Sequence, residues 1–137
     1  MTTDSRLEAL KSALASALPA RRVTRAWCDS NLRTHSELSA GIYTLIARRE
    51  SEYADYPGRE AQLGTLELAL IGQIQLAEKA SGLDVERAEL AMLDEIKAFV
   101  GNLPAGLGNL ALREAQQSGQ IEAPYGWVAF RLDWYLN

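Results

Sequence analysis

The sequence predicts an α+β domain, a two-layer sandwich with a mostly antiparallel or mixed sheet of four to five strands and two amphipathic helices packed on one face. Three observations predict it. Val128, Phe130, Leu132, Trp134 and Leu136 share one parity, while Trp127, Ala129, Arg131, Asp133 and Tyr135 share the other, the signature of a strand whose faces differ. Leu66, Leu68, Leu70, Ile74 and Leu76 alternate in the same way with Thr65, Glu67, Gln73 and Gln75. Leu7, Leu10, Leu14 and Leu18, and later Val85, Ala88, Met92, Ile96, Phe99 and Leu103, recur at the spacing of one helical face. A helix with one apolar stripe must cover an apolar sheet face, which makes two layers the economical packing. At 137 residues the chain suffices for one such core and is too short for two.

Taken in order, the first helix spans about 4–18, opened by a capping pair of Ser5 with Glu8 and stopped by Pro19. Val23 and Thr24 favour a strand over 21–28. Polar residues 29–36 form a turn region. A strand over 39–49 follows, apolar on both faces around Ile42, Tyr43, Leu45 and Ile46. Residues 50–64 form a polar loop whose Tyr53, Tyr56, Pro57 and Gly58 mark turns. The strand 64–77 contains Gly72, a sign of a bulge or of close packing. Ser81 and Asp84 open the second helix, 83–101, with acidic residues favouring its positive end. Gly101, Asn102 and Pro104 stop it. Residues 108–117 are read as a strand, with a helix over 111–117 the alternative, and 126–136 form the last strand.

Composition narrows the function. The net charge of −4 argues against binding nucleic-acid phosphates, which needs clustered Lys and Arg. No apolar run has the length of a membrane-spanning helix. Residues 1–5 lack the basic and apolar regions of a signal peptide, and a single cysteine, Cys28, fits a reducing compartment. No metal or cofactor is expected. His35-x-Glu37 resembles half of a zinc deaminase motif, but the only cysteine lies upstream of it rather than downstream. With one His and one Cys, a zinc site would need carboxylates for its other ligands. Cys28 and His35 as a nucleophile and base lack an electropositive or Gly-rich setting. Gly101 to Gly106 lacks the Lys that completes a phosphate loop. Asp84, Glu86 and Glu89 read as a solvated helix face, and the acids of the 50–64 loop as solvated too. The expectation is a protein that is not an enzyme.

Together, the leucine-rich helix Arg6–Leu18, the link Pro19-Ala-Arg-Arg-Val-Thr-Arg25, the long hairpin Tyr43–Ala77, the helix Leu83–Val100, the Gly-rich break Leu103–Gly108 and the ending Gly126–Tyr135 resemble the tail terminator, or tail completion, proteins of long-tailed bacteriophages. The likeness covers nearly the whole chain and lies in element order and length rather than in a motif. It implies a homohexameric ring that caps the tail tube, ends its polymerisation and offers a surface to the head. Implied partners are further copies of the chain, the major tail tube protein and the head-tail connector protein. Genomic DNA would pass through the lumen without specific binding. The implied location is the head-proximal end of the virion tail, with the host cytoplasm during assembly. Alternatives are another phage head-tail or minor tail structural protein, or a dimeric bacterial α+β regulatory or binding module.

Two groups of residues are candidate contacts. Trp127, Arg131 and Tyr135 occupy the second face of the last strand, where a surface strand would carry polar residues, and are assigned to a subunit interface, with Arg131 pairing to acids of the neighbour. Tyr53, Asp55, Tyr56 and Arg59, in the loop between the long strands, are assigned to contact with the tube or the neighbouring subunit, because tyrosine is enriched in binding surfaces.

Overall fold

The computed structural model describes residues 2–53 and 64–135. Helix α1 (Thr3–Ala17) leads to β1 (Arg22–Thr24), a 3-10 turn (Ser30–Leu32) and the short helix α2 (His35–Ala40). Strands β2 (Ile42–Ser51) and β3 (Thr65–Gln75), helix α3 (Gly82–Gly101), and strands β4 (Asn109–Gln117) and β5 (Tyr125–Tyr135) complete the order. The five strands form one mixed sheet in the order β1-β2-β3-β5-β4, giving an α+β fold. Only β1 and β2 run parallel; the other neighbours are antiparallel. Helix α3 carries the chain to the edge strand β4, and β5 returns between β4 and β3. Residues 108–117 are therefore a strand rather than a helix.

The alternating residues meet as their spacing requires. Leu68, Leu70 and Ile74 of β3 and Val128, Phe130, Leu132 and Trp134 of β5 share one cluster with Leu10 and Leu14 of α1 and with Met92, Ile96 and Phe99 of α3. Each fully buried side chain of this size contributes about 1.5–3 kcal/mol. Trp134 keeps its polar edge satisfied there, with Nε1 donating to Leu107 O at 2.6 Å. The Arg6 guanidinium lies 5.6 Å from its ring centroid, a cation–π distance. Tyr43 reaches across the core, its hydroxyl donating to Glu95 Oε1 at 2.5 Å, and Arg21 Nε donates to the same oxygen at 2.8 Å. Burial, followed by the hydrogen bond to Glu95, holds the Tyr43 phenol well above its ordinary pKa.

Several expected details are corrected. The first strand is three residues long rather than spanning 21–28, because only Arg22, Val23 and Thr24 pair with β2. Residues 39–41 do not begin β2. Ser39 and Ala40 end α2, which starts with a full capping box: Glu37 N–H donates to Thr34 Oγ1, and Thr34 N–H donates to Glu37 Oε1. Gly41 follows at φ +84°, a backbone conformation that favours glycine. At α1 the cap is Thr2, which accepts from Ser5 N–H, rather than a Ser5–Glu8 pair. The Ser81–Asp84 opening of α3 is a true capping box, with bonds of 3.1 and 3.0 Å. Gly72 marks close packing and no bulge. Pairing runs unbroken through it, and an added Cβ would lie 2.7 Å from Met92 Cε. The register shifts fall instead beside Arg48 and Arg113.

The two amphipathic helices pack on one face of the sheet, as expected. Helices α1 and α3 cover the inner face, but the chain between β1 and β2 crosses the outer one. There Arg33 Nη2 donates to Thr44 Oγ1 at 3.2 Å and to Ala26 O at 2.8 Å. Leu38 and Ile42 are buried beside this crossing, outside the main core. The crossing explains why β2 is apolar on both faces.

Candidate functional site

On the outer face, β3 and β5 pair Gln73 with Trp127, Ile71 with Ala129 and Gln75 with Tyr125. The crossing segment stops short of these pairs and leaves a groove of about 620 Å³ beside them. Trp27, Ile71, Tyr125, Trp127 and Ala129 supply its apolar walls. Asp29, Ser30, Asn31, Gln73 and Glu122 supply its polar groups. Trp27 stays 47% exposed and Tyr125 37% exposed, a large open aromatic surface for a single chain.

Gln73 fixes the groove floor. It is 2% exposed, and its Nε2 donates to Cys28 O and to Ser30 Oγ, both at 3.2 Å. A carbonyl can only accept, so the Cys28 contact sets the orientation of the amide. Gln73 Oε1 is left buried and accepts from none of the described residues.

The aromatic wall is held from the inner face by Glu89. Its burial, at 0% exposure, corrects the reading of this residue as part of a solvated helix face. Glu89 Oε2 accepts from Trp127 N–H at 3.0 Å and from the Ser118 hydroxyl, while Oε1 accepts from Gln117 Nε2 at 3.3 Å. Gly126 leaves room for the carboxylate: a Cβ there would lie 2.7 Å from Glu89 Oε2. One α3 side chain thereby ties the helix to the end of β4 and to the backbone of Trp127.

The assigned contact residues divide. Trp127 is half-buried in the groove. Arg131 and Tyr135 lie on the same face farther along β5, four and eight residues away, or roughly 13 and 26 Å at the rise of a strand. Neither lines the groove that Trp127 walls. Arg131 Nε stands 3.8 Å from Glu114 Oε2 of its own chain, and both side chains are at least half exposed. The Tyr135 hydroxyl accepts from Arg113 Nη2, and Arg113 Nε donates to Asp133 Oδ2 at 2.9 Å. The hydrogen bond to Asp133, then that to Tyr135, raises the Arg113 pKa. Tyr53, half-exposed, donates to Glu50 Oε1 at 2.8 Å. Asp55, Tyr56 and Arg59 lie outside the described residues.

Sequence reasoning missed Trp27, Asp29, Glu122 and Tyr125. The isolated tryptophan in the otherwise polar segment 24–36 was the available signal. Chemically, the groove offers aromatic faces, rim carboxylates and a floor amide, a combination suited to an apolar or cationic group. His35 Nε2 lies 3.2 Å from Ser39 Oγ within α2, and no metal-holding group of His, Cys, Asp and Glu occurs among the described residues. No protein-family model and no curated protein matches this sequence.

Proposed function

We propose that this protein is a structural component of a long-tailed phage, a tail terminator that forms a homohexameric ring on the tail tube. In this role it stops tube polymerisation, offers a surface to the head-tail connector protein and lets DNA through. The observation that carries the reading is the partly open aromatic face around Trp27, Tyr125 and Trp127, which an isolated chain leaves half in water and a neighbouring subunit would cover. A net charge of −4 suits a passage that repels phosphate. The free edge strand β4 is a poor route to assembly. It carries Arg113 and Glu114 beside a bulge, features that discourage edge pairing, so contacts through faces are favoured.

The test is native mass spectrometry and negative-stain imaging of the protein, alone and mixed with tail tubes. Six-fold rings, or rings formed only on tubes, are expected. A protein that stays monomeric and leaves tubes uncapped refutes the reading. The groove itself favours a second reading, because about 620 Å³ lies in the range of small-molecule sites. A dimeric binding module would show a two-chain mass and a ligand seated against Trp127.

A further inference from the structure

The groove's occupant can be specified from the far side of the molecule. Helix α3 buries Val85, Glu89, Met92, Ile96 and Phe99 against the sheet. At 3.6 residues per turn, Leu83, Arg87 and Leu90 point the opposite way. Leu83 is 45% and Leu90 39% exposed, and Arg87 between them is exposed and in no ion pair among the described residues. This stripe at spacings of four and three is the pattern by which a helix anchors in an apolar groove. Two leucines match the aromatic walls, and Arg87 matches the rim carboxylates Asp29 and Glu122, which belong to no ion pair among the described residues.

We infer that the groove receives the Leu83–Arg87–Leu90 face of α3 from a second copy of this chain, with Arg87 set between Asp29 and Glu122 beside the aromatic faces of Trp27 and Trp127. The inference deepens the ring reading and rests on it for its biological purpose. The two surfaces lie on opposite sides of the molecule, so the contact is heterologous and propagates from copy to copy instead of ending at a dimer. A contact built from the outer face alone, such as Trp127 of each copy against Arg131 of the other, would be two-fold and would stop at two chains.

The experiment is cross-linking between two single-cysteine proteins, Leu90→Cys and Glu122→Cys, each in a Cys28→Ser background and checked for folding by circular dichroism. Under mild oxidation, at high concentration or on tail tubes, the mixture is expected to give cross-linked dimers that neither protein gives alone. In a second arm, Arg87→Glu should weaken self-association at least tenfold by sedimentation, and Glu122→Arg in the same chain should restore it. Efficient cross-linking of Glu122→Cys alone, or self-association indifferent to Arg87→Glu, overturns the contact. The two readings fail separately. Hexamers without the mixed cross-link retain the ring and reject this contact. The mixed cross-link without rings, even on tubes, retains the contact and rejects the ring. Monomers that neither cross-link nor bind tubes reject both.

Discussion

Replacing Gly126 with alanine tests whether Glu89 and Val85 form a fixed seat under β5. A Cβ at this position would stand 2.7 Å from Glu89 Oε2 and 2.7 Å from Val85 Cγ1, distances that real Cβ atoms do not adopt. The flexible end of a side chain could swing away cheaply, but this carboxylate is held by Trp127 N–H at 3.0 Å and by the Ser118 hydroxyl. Val85 is fully buried and β-branched, so it has few rotamers to use. Overpacking of this kind costs about 1–3 kcal/mol. It opposes the roughly 0.5–1 kcal/mol that alanine gains over glycine in regular structure and in the unfolded chain, so a net loss of up to about 2.5 kcal/mol, centred near 1 kcal/mol, is expected. The internal control is Gly101, the last residue of α3, where a Cβ would meet nothing within 4 Å. There the same substitution should stabilise by up to about 1 kcal/mol. Urea melts followed by circular dichroism read both changes, and thermal midpoints should move by about 3–5 °C per kcal/mol for a domain of this size. In the Gly126→Ala background, Val85→Ala should cost less than it does alone, a coupling that a double-mutant cycle resolves. A Gly126→Ala protein as stable as wild type at an unchanged denaturant slope would refute the fixed seat.

Three further outcomes follow from the same structure. Tyr43→Phe removes a hydroxyl bonded to a carboxylate and should cost about 1.5–3 kcal/mol at neutral pH. Because the folded pKa of Tyr43 is raised, its contribution is complete below the unfolded tyrosine pKa of about 10 and is lost as pH climbs above it, so the difference between wild type and Tyr43→Phe should shrink in alkaline urea melts. At the acidic end, the hydrogen bonds from Thr34 and Ser81 depress the pKa of Glu37 and Asp84. The stability they add is present above the ordinary carboxylate range and disappears as pH falls through the lowered folded values; because the backbone N–H groups of Thr34 and Ser81 donate to these carboxylates, Glu37→Gln and Asp84→Asn should flatten the acid limb, Thr34→Ala and Ser81→Ala should each cost about 1 kcal/mol near neutrality, and an unchanged limb in both carboxylate variants contradicts the caps. EDTA should leave the melting temperature where it is, since no metal-holding group occurs among the described residues; a drop that zinc reverses would contradict this.

Elements whose period is local and long are legible in the amino-acid sequence. Strands β3 and β5 and helices α1 and α3 each run for ten residues or more, long enough for a period of two or of 3.6 to show. Their apolar residues therefore named the core before any pairing was known. Helix α2 has six residues, too few for a period, and only the Thr34-x-x-Glu37 capping pair announced it. The length of β1 depended on how many residues found partners on β2, and the strand order on pairings between residues far apart in the chain; neither leaves a trace in a short window. The same reason separates Glu89 from its helical neighbours. A glutamate is buried only where donors converge on it, and here they come from Gln117, Ser118 and Trp127. The groove is tertiary in the same sense. Trp27 and Trp127, a hundred residues apart in the sequence, become two walls of one cleft because the crossing segment lies over β3 while Gln73 binds its carbonyl from below.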